Sequence, residues 1–203
     1  MDTLFGIVTS FLIGIGLAAS CGFRVFVPML VMSLAVRAGL LHLSEGWHWM
    51  GSWPALIAFS VASIAEIVGF YIPWIDHLLD TVAIPAAVIA GTIATAACVA
   101  DMHPLLKWSS ALIAGGGIAG AIQASTVFVR GASTVTTGGL GNWVVSTLEL
   151  VTSFILSVLA IVVPILTGLL VAAIVFFVVR RFLRRRARLA VMTPASAGQV
   201  VPR

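Results

Sequence analysis

Long apolar runs, separated by short polar or glycine-rich breaks, make up most of the chain from Leu4 to Val179. A membrane-spanning helix needs about 20 predominantly apolar residues. The pattern therefore predicts six or seven transmembrane helices joined by short connections. We expect an all-α polytopic membrane protein in which at least one segment is broken or re-entrant.

The first two apolar segments, residues 4–19 and 25–41, are the shortest. They provide about 16 and 17 residues, which is just below the length of a full span. The break between them contains Arg24. Two crossings and one re-entrant hairpin fit this pattern equally.

Five further apolar segments cover residues 53–72, 86–100, 109–129, 143–163 and 165–179. We interpret the interval 73–85 as an interfacial helix start or a broken helix. The glycine run at positions 115–117 favours tight helix contact or an unwound stretch. The last two segments meet at Pro164.

Composition supports the membrane assignment, since 61% of the 203 residues are hydrophobic and 9% are charged, against about 25% charged residues in soluble domains. The mean hydropathy is +1.16. We expect residues 1–182 to form a single transmembrane domain and residues 183–203 to form a disordered basic tail. Seven arginines lie at positions 180, 181, 184, 185, 186, 188 and 203. A basic stretch after the last span predicts a cytoplasmic C-terminus that contacts membrane lipids, and no nucleic-acid partner.

Two carboxylates lie inside apolar segments in the same local motif, Ser63-Ile64-Ala65-Glu66 and Ser146-Thr147-Leu148-Glu149. The recurrence indicates a degenerate internal repeat, as many transporter folds have. The unequal distances from Arg24 to Glu66 and from Arg130 to Glu149 argue against strict symmetry.

Arg24 and Arg130 each lie at a glycine-flanked break, so Arg24, Glu66, Arg130 and Glu149 provide two arginine–carboxylate pairs. Charges within a membrane are costly and usually functional. Arginine also binds anions through parallel hydrogen bonds. We therefore predict an ion- or solute-binding site, with purely structural pairing as the alternative.

Three further residues complete the predicted binding set: Asp76, Ser133 and Asn142. Asp76 and Asp80, one helical turn apart, could coordinate a cation or relay protons, although we favour a solvated interfacial face. Ser133 and Asn142 belong to a polar, glycine-rich stretch that could line a path for ions. An ordinary exposed loop is the alternative.

Catalytic motifs such as G-x-S-x-G or a P-loop are absent from the sequence, so we expect no enzymatic activity and no cofactor. The histidines and acidic residues lack tight metal-ligand spacing, and we predict no metal site. Cys21 and Cys98 lie in small-residue segments and are interpreted as packing residues.

The motifs Gly22-Phe23-Arg24-Val25-Phe26-Val27-Pro28 and Ile72-Pro73-Trp74-Ile75-Asp76, together with the two glutamates, carry a resemblance. The chain resembles a family of small bacterial inner-membrane proteins classed as a domain of unknown function. The resemblance covers nearly the whole chain to about residue 182 and implies an inner-membrane location without assigning an activity. Where that family often has an acidic residue and a lysine, this chain has Gly69-Phe70-Tyr71.

These patterns predict a membrane transporter or channel for a small ion or anionic solute, proton-coupled through the glutamates. Two alternatives remain open. One is a carrier or flippase for lipid phosphates. The other is a non-transporting subunit that packs beside a membrane-complex partner, and small-residue helix faces would also suit a homodimer.

Overall fold

The computed structural model describes the backbone of residues 2–99, 103–174, 176 and 180, with their side chains except at positions 2, 3, 73, 74, 76 and 77. The predicted tail, residues 183–203, lies outside the described residues. So does most of the predicted last segment beyond Ile174.

The described chain is helical and contains no strand. Its main helices are α1 (Asp2–Cys21), α2 (Phe26–Arg37), α3 (Trp53–Tyr71), α4 (Pro73–Cys98), α5 (Pro104–Ser110), α6 (Gly117–Thr137) and α7 (Asn142–Val162). A π-helical segment, Ala111–Gly116, joins α5 to α6. A short 3-10 helix, His48–Gly51, precedes α3, and an apolar helix, Pro164–Ile174, follows α7.

Five described helical stretches are long and apolar enough to cross a membrane. They are Leu4–Cys21, Trp53–Tyr71, Leu78–Cys98, Pro104–Thr137 and Asn142–Val162. The structure therefore agrees with an α-helical polytopic membrane protein. The total of six or seven spans stays a prediction.

Several segment boundaries differ from the sequence prediction, and α2 ends at Arg37, four residues before the predicted end at 41. Helix α4 begins at Pro73, in agreement with a helix start in the interval 73–85, but it continues without a break through Pro85. Transmembrane helices tolerate proline where neighbouring groups satisfy the freed backbone. The fifth segment extends to Thr137, eight residues beyond its predicted end at 129. Its glycine run stays helical, with a π-helical turn in place of an unwound stretch.

Small residues hold the helices together. One face of α4 buries Ala87, Ala90, Ala94 and Ala97. A Cβ atom at Gly16 of α1 would lie 2.6 Å from Cβ of Ala160. Small residues let backbones approach closely, which matters in lipid because apolar surfaces alone do not drive helix association.

The break between α1 and α2 lies deep in the structure. A Cβ atom at Gly22 would come within 2.7 Å of the Ala119 carbonyl oxygen, so only glycine fits this close approach to α6. Helix α2 contains 12 residues, about 18 Å at 1.5 Å per residue. Its C-terminal end lies beside the start of α3, where the Arg37 guanidinium stacks 3.8 Å from the ring centroid of Trp53. The break therefore presents Arg24 to the interior of the bundle.

Candidate functional site

Arg130 of α6 is the most extensively paired charge among the described residues. Its Nε donates to Oε1 of Glu149 at 3.1 Å, and its Nη2 binds Oε2 of the same carboxylate. Its Nη1 donates to Oδ1 of Asp80 at 3.1 Å. The side chain is 1% exposed. Parallel N–H···O bonds of this kind are among the strongest that proteins form, so Arg130 joins α4, α6 and α7.

Arg24 approaches the same carboxylate from the α1–α2 break. Its Nη2 donates to the Ser146 carbonyl oxygen at 2.9 Å and lies 3.6 Å from Oε2 of Glu149. The residue is 1% exposed, and its buried Nε and Nη1 atoms have no hydrogen-bond partner among the described residues. Unpartnered buried donors on a cation are costly. Arg24 therefore has donors to offer a further acceptor.

The ring of Phe70, near the C-terminal end of α3, contacts both guanidiniums. Its centroid is 4.0 Å from Cζ of Arg24 and 3.9 Å from Cζ of Arg130. A cation over an aromatic face is attracted to the ring's negative quadrupole, by about 2 kcal/mol or more when both groups are desolvated. Phe70 thus stabilises both arginines through cation–π contacts, in addition to their contacts with Glu149.

Glu66 has a different partner from the one that the sequence suggested. Its Oε1 accepts from the backbone N–H of Val25 at 2.7 Å, and its Oε2 accepts from that of Phe26 at 3.0 Å. These amides open α2, where the helix dipole favours a negative charge. The predicted pairing of Arg24 with Glu66 is therefore replaced by a Glu66 cap on α2, and Arg24 forms its ion pair with Glu149. The predicted pair of Arg130 with Glu149 is present.

Each repeated motif also contributes a buried hydroxyl one turn before its glutamate. Ser63 is 3% exposed and Ser146 is fully buried, and neither Oγ atom has a hydrogen-bond partner among the described residues. Together with Arg24, these hydroxyls form a set of buried polar atoms with unused hydrogen-bonding capacity. Native interiors usually satisfy such atoms with protein, water or a ligand.

The charges of the site do not cancel when all are ionised. Two guanidiniums, Arg24 and Arg130, face three carboxylates, Glu66, Asp80 and Glu149. The site then carries one negative charge in excess. Protonation of one carboxyl group would make the site neutral.

The other predicted binding residues lie away from this cluster or outside the described side chains. Asn142 is buried at the start of α7, where its Nδ2 donates to Thr134 at 3.0 Å, and it precedes Glu149 by about 10 Å along the helix. Ser133 lies in α6 one turn beyond Arg130, and its carbonyl accepts from Thr137 at 2.7 Å. Asp76 belongs to α4, and its side chain is not among those described.

Two members of the site were missed or misjudged in the sequence. The interfacial face favoured for Asp80 is wrong, because its carboxylate is 16% exposed and bound to Arg130. The one-turn spacing of acidic residues was visible, but it gave no sign of the arginine partner. Phe70 was seen only as a departure from the family pattern, and nothing in the sequence indicated its contacts with two arginines.

Two apolar cavities each include one glutamate of the charged cluster. The first, which we call the Glu149 cavity, has a volume of about 390 Å³ and lies between α6 and α7, with Phe23 and Ile174 also in its lining. The second, the Glu66 cavity, has a volume of about 370 Å³ and lies between α3 and α4, with Phe70 in its lining. Each cavity thus contains the glutamate of one repeated motif.

Comparison with protein families gives one match, to the family described as Domain of unknown function (DUF4126), over residues 11–184. No curated protein and no solved structure matches the chain significantly. The family match covers most of the chain, and the chain therefore belongs to this family.

Proposed function

We propose that this DUF4126 protein is a bacterial inner-membrane transporter for an anionic solute, with Arg24 and Arg130 as its anion-binding groups. The observation that carries the proposal is Arg24, a fully buried cation with two unpartnered donor atoms beside a carboxylate that is shared with a second arginine. An entering anion could accept from those donors. The same atoms would suit no cation.

Glu149 would act as the competitor of the transported anion. Its carboxylate occupies the position between the two guanidiniums, where an anionic solute would also be most stable. Protonation of Glu149 would weaken its hold on the arginines and free them for the solute. In this mechanism binding of the anion and binding of a proton favour each other.

The charge count supports proton coupling. The ionised site already has one negative charge in excess, and an added monoanion would raise the excess to two. Charges in a poorly solvated site interact strongly, so uptake of an anion would be accompanied by uptake of at least one proton. The expected transport reaction is anion–proton symport.

A re-entrant α1–α2 hairpin would hold Arg24 inside the bundle at the proposed site. Arg24 binds Ser146, which lies only about 6 Å along the helix axis from the first residue of α7. Helix α2 ends at the opposite end of the bundle, beside Trp53 at the start of α3. The hairpin would therefore enter and leave on the side of residues 38–52. Broken helices that line a cavity are a common location for ion and solute sites.

The same packing supports a cytoplasmic C-terminus. The Pro164–Ile174 helix starts at the end of α7, and Ile174 has returned to the level of Glu149, whose cavity it lines. The Pro164–Ile174 helix therefore runs towards the side of the α3–α4 and α6–α7 connections. By the positive-inside rule, the arginine-rich tail makes this side cytoplasmic.

Proteoliposomes test the proposal directly. Purified protein is reconstituted, an inward proton gradient is imposed, and uptake of chloride, inorganic phosphate, methanesulfonate and hexanesulfonate is measured. We expect gradient-dependent uptake of at least one anion, lost in Arg24→Ala. Arg37→Ala is the matched control, since Arg37 is exposed and stacks on Trp53 outside the site.

Absence of uptake and of binding for every anion in that panel, by protein that remains monodisperse, would contradict the proposal. Co-purification of a membrane complex in the same experiment would then favour the non-transporting subunit. Equal uptake by wild type and Arg24→Ala would also contradict it.

A further inference from the structure

We infer that the anion is amphiphilic, with an oxyanion head for the arginine pair and a hydrocarbon chain for one of the two apolar cavities. The inference rests on the proposed anion site and adds the substrate class. It follows from the arrangement of the two cavities, the two arginines, and the residues Phe70 and Glu149 that contact them.

The Glu149 cavity joins an apolar space to the charged cluster. Ile122, Val129 and Leu148 contribute to its walls, and Glu149 lies in the same lining. That carboxylate binds Arg130 and lies 3.6 Å from Arg24. A molecule in this cavity would therefore have hydrocarbon neighbours along its length and a charged group at one position only.

The Glu66 cavity is connected to the arginine pair through Phe70. Its lining includes Glu66, Phe70, Leu79 and Val82. Phe70 is also the ring that both guanidiniums contact. Each cavity thus contains one residue that contacts both arginines, Glu149 in the first and Phe70 in the second.

The two repeated motifs line their cavities in the same register. The residues four and one positions before the glutamate are Ala62 and Ala65 in α3, and Val145 and Leu148 in α7. Equivalent helix faces therefore border equivalent apolar spaces. A head group could therefore bind the arginines with its hydrocarbon chain in either cavity.

A small hydrophilic anion fits these surroundings poorly. Moving a polar or charged group through an apolar space without hydrogen-bond partners is costly. A hydrocarbon chain gains in the same space, by about fourfold in affinity for each methylene that leaves water. Both volumes are also of the size that small-molecule pockets have, about 300–1,000 Å³.

The length of the ligand's hydrocarbon chain provides the test. Protein in lipid nanodiscs is titrated with methanesulfonate, butanesulfonate and octanesulfonate, with empty nanodiscs as the blank for partitioning. We expect affinity to rise with each methylene by up to about fourfold, and to fall strongly in Arg24→Ala. Matching alkyl phosphate and alkyl carboxylate series then show whether the natural head is a phosphate, as in lipids, or a carboxylate, as in fatty acids.

Substitutions in α6 and α3 locate the hydrocarbon chain of the ligand. Ala121→Phe places a ring in the Glu149 cavity, whereas Ala124→Phe, also exposed on α6 but outside that lining, is the matched control. Ala65→Phe does the same for the Glu66 cavity. We expect Ala121→Phe or Ala65→Phe to flatten the chain-length dependence, with methanesulfonate binding unchanged.

The outcomes separate the two proposals. If methanesulfonate binds in an Arg24-dependent manner and longer chains bind no better, the amphiphilic substrate is wrong and the anion site stands. A chain-length effect that Ala121→Phe and Ala65→Phe leave unchanged would also overturn it. Failure of every anion to bind would overturn both proposals together.

Discussion

Nη2 of Arg24 lies 3.6 Å from Oε2 of Glu149, which brings the break between the first two helices into contact with α7. Arg130 binds the same carboxylate. One glutamate therefore serves two arginines, and both become dependent on its charge. This sharing is the basis of the proposed competition between Glu149 and a transported anion.

Removal of Arg130 should destabilise the protein strongly. Arg130→Ala leaves the buried carboxylates of Glu149 and Asp80 without their shared partner, and breaking a buried charge pair in this way costs about 3–5 kcal/mol. We expect a large fall in the thermal unfolding temperature of the detergent-purified protein. Arg37→Ala should cost about 1 kcal/mol or less, because its cation–π contact is exposed. Equal effects of both substitutions would contradict the role given to Arg130.

Glu66 should stabilise the first turn of α2. Glu66→Ala removes both acceptors from the amides of Val25 and Phe26, and loss of a helix cap costs about 0.5–2 kcal/mol. A loss of 1–2 kcal/mol corresponds to about 5- to 30-fold faster amide exchange, which hydrogen–deuterium exchange of this segment can measure. The exposed Glu45→Ala is the control and should leave it unchanged. Unaltered exchange in Glu66→Ala would exclude the capping role.

Alanine substitutions in the glycine run, in the middle of the Pro104–Thr137 helix, should have unequal effects on the stability of the protein. A Cβ atom at Gly115 would lie 2.5 Å from the Gly91 carbonyl oxygen, whereas one at Gly117 would meet nothing within 4 Å. Gly115→Ala should therefore cost about 1–3 kcal/mol through overpacking. Gly117→Ala should be neutral or stabilising by up to about 1 kcal/mol, since alanine favours helix. Thermal unfolding of both variants checks this, and a reversed order would contradict the observed packing of α4 against this helix.

Much of the helical pattern could be predicted from hydrophobicity. The predicted segment 143–163 matches α7 within one residue at each end. A long apolar run between polar breaks is stable in a membrane as a spanning helix, so its ends can be predicted. The continuation of α4 through Pro85 could not be predicted in this way. Whether a proline interrupts a helix depends on the neighbours that satisfy the freed backbone groups.

The charged residues of the site could be predicted from the sequence, but most of their partners could not. The sequence singles out Arg24, Arg130, Glu66 and Glu149, because charged residues within apolar segments are costly to bury. Their partners depend on the depth at which the α1–α2 break meets α3 and α7, and no local pattern encodes that depth. The backbone amides that bind Glu66 carry no signal in the sequence at all.

Proton uptake on anion binding tests the central claim most directly. Hexanesulfonate, which does not titrate near neutral pH, is added to purified protein in weakly buffered solution, and the pH change is followed with a dye. The account predicts proton uptake by the wild type, anion binding without this uptake in Glu149→Gln, and neither in Arg24→Ala. Binding by the wild type with no proton uptake, or unchanged uptake in Glu149→Gln, would contradict it.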